Sequence, residues 1–360
     1  MRGEIGAAVN ALLAVQPQMR DDGGWSEDGG KATTYALDEA GWLGVGLPPE
    51  LGGEGGDFLD AVAVIEAVSA HGWPSPVADV LLVTNALLGR AAARSPAIGG
   101  LTVVVPVLAT TNGAGLISAS ARWVPWAPWA RQLLMIAADG PGRATLTVVE
   151  ARHADIRVHE NLAGARWGAV SVFDAPGQSV GTLDEPAQRV VEMAYAMGAL
   201  ARSVQLSSAL GRVRDLAVHH ARQRYQFGRP LAAFQAVQQN LAVLAGNVAA
   251  AQAAVRQAVP DVSDPLCLIC EPRLAVAKAR TSLAADEAAR LAHQIHGAIG
   301  TTREHELHRH TLALLSWRDE FGSEFYWSQR LADAACGVTD FWEWLCGAMR
   351  PAMAEGHSHA

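Results

Sequence analysis

The chain has 360 residues, 50% hydrophobic and 18% charged, enough for a large core and more than one domain. Its net charge is −8, and no basic run marks a nucleic-acid surface. The longest apolar runs, such as Leu101 to Leu108, fall far short of the roughly 20 residues a membrane span needs. The N-terminus lacks a long apolar signal core, so a cytoplasmic protein is expected.

Residues 1 to about 95 read as helical. Small residues alternate with Ala36, Leu37 and the Leu43-Val45-Leu47 run, and the Pro48-to-Gly56 stretch then breaks the pattern. A second helix is predicted from Phe58 through Val68, where Phe58, Val62, Ile65 and Val68 keep close to helical spacing. From 100 to about 180 the character changes. Leu101–Val105, Leu133–Ile136, Ala144–Val149 and Ala169–Phe173 are short strand-like runs, rich in β-branched residues and separated by Gly, Pro and Asn. They predict a small β domain.

From about Glu185 onward the chain is Ala-rich and helical. Three stripes recur at intervals of three and four. One holds Val190, Ala194, Met197, Ala201 and Val204. The next holds Val237, Leu241, Leu244, Val248, Ala251 and Val255, and the last Ala277, Thr281, Ala284, Ala288, Leu291 and Ile295. Long stripes with few breakers predict antiparallel helices packed as a bundle. Turns are expected at Pro230 and between Pro260 and Pro265. The boundaries read as 1–99 helical, 100–183 β, 184–350 helical bundle and 351–360 a flexible tail.

Few residues suggest a metal. Cys267 and Cys270 form a lone C-x-x-C without a second pair, which reads as buried thiols rather than zinc. His305, His308 and His310 resemble a solvated helix face more than a ligand set, and His219, His220, His293 and His296 show no metal spacing. His357 and His359 sit in the expected tail.

Two C-terminal strings carry the strongest signal. They are Arg224-Tyr225-Gln226-Phe227-Gly228-Arg229-Pro230 continuing to Phe234-Gln235, and Gln294-Ile295-His296-Gly297-Ala298-Ile299-Gly300. Both resemble the flavin-pyrophosphate and adenine segments of the acyl-CoA dehydrogenase family, and the Gly41-to-Gly56 segment resembles that family's glycine-rich signature. The similarity spans roughly residues 35 to 335. It implies an α+β multi-domain protein with the acyl-CoA dehydrogenase fold: an N-terminal helical domain, a central β-barrel and a C-terminal four-helix bundle.

The resemblance also implies FAD. A guanidinium suits a pyrophosphate because it is planar, permanently charged and bidentate, which points to Arg224. Phe227 would pack on the cofactor and Gln235 would offer an amide to the adenine side. Gln294, Gly297 and Gly300 form the second segment, with Gly297 permitting close backbone approach. Ser323 is counted with the cofactor-binding residues. In the family these elements reach a neighbouring subunit's cofactor.

What is missing is as informative. The family's Thr-Glu-Pro…Gly-Ser-Asp loop, which holds the flavin ring, has no counterpart. Residues Val104–Thr111 run almost directly into Asn112-Gly113-Ala114-Gly115, a deletion of roughly twenty residues. Trp123, Trp126 and Trp129 follow, and Trp-rich edges are usually packing. Desaturation needs a carboxylate to remove the α-proton. Ungapped counting puts the family's two alternative glutamate positions at Gly198 and Phe321, and the Arg beside the first at Ala199. Glu320 and Asp319 lie nearby but read as surface charges. Glu192 lies on a different helix face from Gly198.

The resulting expectation is an accessory subunit of a heteromeric, FAD-dependent acyl-CoA dehydrogenase, resembling the non-catalytic subunits of actinobacterial sterol side-chain catabolism. A base-bearing partner subunit in an α2β2 assembly, an acyl-CoA substrate and an electron-transfer flavoprotein or similar acceptor follow from the resemblance. Two alternatives stand beside it. One is a self-sufficient flavoenzyme using Glu320 as a displaced base, and the other is a scaffold that binds no flavin.

Overall fold

The computed structural model describes residues 2–15, 27–93, 100–259, 272–340 and 342–344. Cys267, Cys270, the Pro260–Pro265 turn and the tail histidines lie outside these residues. The chain runs helices, strands, helices, as the composition shifts predict.

The first part contains α1 (Arg2–Ala14), α2 (Glu27–Glu39) and α3 (Phe58–Ser69). The short helices α4 (Val77–Asp79) and α5 (Asn85–Arg90) follow, joined by a π-helical turn at Val80–Thr84. Asp57 starts α3 with a reciprocal capping box: its side chain accepts from Asp60 N–H, while Asp60 accepts from Asp57 N–H. The glycine-rich stretch before it folds back on itself. A Cβ on Gly53 would lie 2.0 Å from the Leu47 carbonyl oxygen, a contact only glycine allows.

Seven strands follow: β1 (Thr102–Thr111), β2 (Ile117–Pro125), β3 (Gln132–Ala138), β4 (Ala144–Glu150), β5 (Ala154–Glu160), β6 (Arg166–Ala175) and β7 (Gln178–Leu183). Their order is β5-β6-β2-β1-β3-β4-β7, antiparallel except for the β1–β3 pair. The sheet wraps around Val105, Val124, Leu133, Met135 and Val170, all nearly or fully buried. Among the described residues no ladder joins edge strands β5 and β7, so the domain is an open mixed sheet where the resemblance implies a closed barrel.

The last part is a bundle of α6 (Ala187–Gln223), α7 (Gln235–Ala258) and α8 (Pro272–His296), with α9 (Leu307–Trp317) and α10 (Glu324–Cys336) sharing the fourth position. Every residue of the predicted α6 and α8 stripes is buried, and four of the six in α7 are. α6 is the spine. Its first half packs in the core shared with the N-terminal helices, and its second half, from Leu206 to Ala221, packs inside the bundle. A helix buried on nearly all sides exceeds what a single stripe predicts.

Candidate active site and cofactor-binding end

The turn between α9 and α10 carries Asp319, Glu320, Phe321 and Gly322. Phe321 is not glycine yet has φ +53, in the left-handed region, and Gly322 follows at φ +95. That geometry points the Phe321 ring at Gly198 in mid-α6. A Cβ on Gly198 would sit 2.4 Å from two ring carbons. The two positions that counting marks for a base therefore face each other in one corner, and a phenyl ring fills it. Tyr195 meets that ring edge-on at 5.7 Å, and the Arg202 guanidinium lies 5.3 Å from its centroid.

Lys278 holds this turn from beneath. Its side chain is fully buried in α8, and Nζ donates to Arg318 O at 2.6 Å, Gly322 O at 2.9 Å and Ser282 Oγ at 3.1 Å. Trp327 Nε1 donates to Phe321 O at 2.9 Å. Burial lowers the Lys278 amine to about 7, with Glu320 and Asp319 opposing and Arg202 adding to the shift. Nothing in the spacing of α8 sets this lysine apart, except that it stands beside a buried stripe.

Glu320 is not the surface charge the sequence suggests. Its side chain is only 9% exposed and is paired with Arg202 Nε. Asn161 Nδ2 donates to its Oε1 at 3.0 Å. Arg202 spends its remaining donors on Gln205 Oε1 at 2.8 Å and on both oxygens of Asp79 at 3.0 Å. Trp126 Nε1 also donates to Asp79, at 3.0 Å. Each nitrogen of the guanidinium thus has a partner, in two carboxylates and an amide. Burial raises the Glu320 carboxyl above its ordinary range and nearby Asp79 adds to this, while Arg202 and Asn161 pull the other way. Asp319 is the exposed charge expected, paired with Arg318.

On the other side of the turn lies an open cavity of about 620 Å³ between the sheet and the bundle, bordered by Pro106, Trp123, Asn161, Trp167, Glu320 and Phe321. Strands β1 and β2 beside it are joined by a tight turn. Asn112 Oδ1 accepts from Ala114 N–H and Leu116 N–H, which closes the connection without a long loop. The shortened connection agrees with the missing flavin-ring segment. Of the three tryptophans, Trp126 is 4% exposed and is packing, whereas Trp123 is 60% exposed and meets Trp167 edge-on at 6.1 Å in the cavity wall.

The other predicted residues gather at the far end of the bundle. Arg224 caps α6 and is exposed. A two-strand hairpin follows, β8 (Tyr225–Gln226) with β9 (Arg229–Pro230), and its tip presents Phe227 at φ +51 and 92% exposed. Gln235 opens α7 and is exposed. Gln294 near the end of α8 and Gly297 beyond it are exposed, with Gly297 at φ +65, while Gly300 is buried. The two segments meet where His220 stacks on His296, ring centroids 4.4 Å apart. Exposed guanidinium, amide and apolar ring with a glycine turn fit the pyrophosphate and adenine half of FAD. The corner at Phe321 does not fit the flavin-ring half, lacking the loop and the base.

Ser323 does not join this end. It caps α10 and borders the cavity, so it belongs to the Phe321 corner. Arg202 and Arg224 lie on one unbroken helix about 22 residues apart, roughly 33 Å along its axis. Among the histidines, His310 is buried beneath Gly72 and approaches Glu306, and His308 is tied to its own turn. His305, His308 and His310 are not one cluster.

The family follows from comparison with known proteins. The model for the acyl-CoA dehydrogenase N-terminal domain matches residues 12–94, and that for the acyl-CoA dehydrogenase C-terminal domain matches residues 189–324. The chain belongs to the acyl-CoA dehydrogenase family. It is similar to the acyl-CoA dehydrogenase IpdE2 of Mycobacterium tuberculosis, 28% identical over 308 residues that cover 82% of each protein. Its fold is similar to that of a chain in the ChsE4-ChsE5 complex from Mycobacterium tuberculosis, with TM-score 0.77, 22% identity and coverage of 94% of this chain and 98% of that one. The Tcur3481-Tcur3483 steroid acyl-CoA dehydrogenase matches with TM-score 0.76 and 20% identity, over 92% of this chain and 96% of that chain. Among the described residues, no helix is long and apolar enough to cross a membrane.

Proposed function

We propose that this chain is the accessory subunit of a heteromeric acyl-CoA dehydrogenase, desaturating a fatty-acyl or steroid-derived acyl-CoA thioester together with a base-bearing partner. The observation that carries the reading is Phe321 seated on Gly198. Both positions where the family places its glutamate are taken by residues without a proton acceptor, and the ring leaves no room for one.

In this reading the work is divided along α6. FAD, when bound, supplies hydride acceptance at the β-carbon. The partner supplies the carboxylate and the flavin-ring cradle. From this chain, Arg224 engages the pyrophosphate as a bidentate donor, Phe227 covers the cofactor, Gln235 faces the adenine side, and the Gln294–Gly300 turn brings backbone close to phosphate or ribose. The roughly 33 Å along α6 between Arg202, beside the Phe321 corner, and Arg224 favours sharing, with the hairpin serving a cofactor seated on another subunit. The ChsE4-ChsE5 complex among its structural neighbours is consistent with an α2β2 assembly, and an electron-transfer flavoprotein is a suitable electron acceptor.

The test is flavin content. Purified alone, the chain should carry little FAD, because a lost half-site worth ~4 kcal/mol weakens binding about a thousandfold. Co-purified with its partner it should carry FAD and be active. A yellow, stoichiometrically loaded preparation of this chain alone would overturn the accessory reading.

The self-sufficient alternative has one observation in its favour. Glu320 borders the cavity and its carboxyl is raised by burial. Against it, the carboxylate is engaged by Arg202 and Asn161, and a base must be free to take a proton.

A further inference from the structure

Three imidazoles from three separate elements meet at the Arg224 end of the bundle. His220 lies in the last turn of α6, His296 ends α8, and His305 lies in the turn leading into α9. One ring nitrogen of each lies within 4.8 Å of the others. Their ring centroids are 4.4 Å apart for His220 and His296, 4.8 Å for His296 and His305, and 6.3 Å for His220 and His305.

His296 sets the chemistry of the cluster. Its Nδ1 lies 2.7 Å from Ala292 O, so Nδ1 carries the hydrogen and donates it. Nε2 is left with an in-plane lone pair. That atom is buried and has no hydrogen-bond partner, on a residue only 6% exposed. An unpaired buried acceptor is costly, and native structures rarely keep one without a use. A carbonyl on the distal nitrogen is also the arrangement that fixes a metal-binding imidazole in its ligating tautomer. Burial lowers the pKa of all three rings, that of His296 to about 4.

We propose that His220, His296 and His305 form a binding site for one divalent transition-metal ion of the zinc class, with a fourth position open to water or an anion. Three imidazole nitrogens suit Zn, Ni or Cu ions and disfavour Mg or Ca, which want oxygen ligands. Zinc–nitrogen bonds of about 2.0–2.1 Å in a tetrahedron put ligand nitrogens about 3.4 Å apart. The cluster must therefore contract, and His220 must swing out of its stack on His296 (interplanar angle 26°) so that the two in-plane lone pairs converge; the partly exposed rings of His220 and His305 can move by side-chain rotation. His305 Nδ1 now accepts from Leu307 N–H at 3.1 Å. Ligation through its Nε2 requires the ring hydrogen to move to Nδ1 and that contact to open, leaving an N–H at the start of α9 to water. Glu306, next to His305, is engaged by Arg212 at 2.7 Å and is not counted among the ligands. With Arg224 close to His220, an anion such as phosphate is the natural fourth ligand. His296 belongs to the Gln294–Gly300 turn and Arg224 lies beside His220, so the site shares this end of the bundle with the proposed pyrophosphate segment, although its argument does not rest on flavin binding.

The test uses the full chain with His357→Ala and His359→Ala, which removes the tail imidazoles. It is stripped with chelator and dialysed against about 10 µM free Zn²⁺, where a micromolar site is nearly filled. Elemental analysis should find one zinc per chain, and Co²⁺ should give visible ligand-field absorption. His220→Gln and His305→Ala should each weaken zinc binding about tenfold or more, since each removes one of three ligands. His220→Gln, at a half-buried position, should melt like the parent without metal, so its loss of zinc is not a loss of fold. Absence of stoichiometric zinc in the parent overturns the proposal. So does zinc retained at parental affinity in His220→Gln and His305→Ala.

Discussion

The Phe321 ring lies so close to Gly198 that even a methyl group at residue 198 would be 2.4 Å from it. The pair joins the α9–α10 turn to the middle of the spine helix, at the corner where the family's chemistry is done. A glycine in the interior of a 37-residue helix is unfavourable by itself, and here the ring explains it.

Gly198→Ala should therefore destabilise the fold by ~1–3 kcal/mol through overpacking, despite alanine's higher helix propensity. Combining it with Phe321→Leu, which shortens the ring side, should recover part of the loss. A double-mutant cycle in urea measures the coupling. Simple additivity would show that the two side chains do not compete for the same space.

Glu320→Gln should leave dehydrogenation by the complex nearly unchanged. A residue already spent on Arg202 and Asn161 is not the base; the amide matches the carboxylate in size but turns one accepting oxygen into an NH2 donor facing Arg202 or Asn161. Stability should fall by ~1–3 kcal/mol, because a buried guanidinium loses one of its two carboxylates. Single-turnover flavin bleaching with an acyl-CoA reads the first and urea denaturation the second. A collapse of bleaching with flavin content intact would place an active site in this chain.

Arg224→Ala should strip FAD from the co-purified complex while leaving assembly intact, since the side chain is exposed and no core contact is lost. Arg224→Lys should restore only part of the flavin, because the charge returns without the bidentate fork. The flavin-to-protein absorbance ratio after gel filtration is the measurement. Full flavin in the alanine variant would make the arginine structural.

Lys278→Met should change the pH dependence of stability in a defined direction. Burial lowers the folded-state pKa of the amine to about 7, against about 10.4 in the unfolded chain. Between those values the unfolded chain binds more protons, so this lysine makes stability rise with pH. Below pH 7 both states are protonated and the folded state bears the full cost of the buried charge. Urea midpoints of wild type relative to the methionine variant should therefore climb from pH 7 to pH 9. Parallel curves would show an amine that stays charged.

Local sequence determined the order of helices, strands and helices, the start of α3 near Phe58 and the buried faces of α6 and α8, because periodicity is a property of neighbouring residues. It also exposed two absences, the long connection after β1 and a carboxylate at either base position. Only tertiary packing decided what those absences became. Glu320 and Asp79 stand 118 and 123 positions from Arg202, and no spacing rule links them, so an apparent surface glutamate turned out to be half of a buried ion pair. Phe321 meets Gly198 because Lys278 and Trp327 hold a left-handed turn against the spine. His220, His296 and His305 converge because three helix boundaries end at one level of the bundle. Contacts between distant segments are set by how helices pack and where they stop, and neither is written in the periodicity of any one of them.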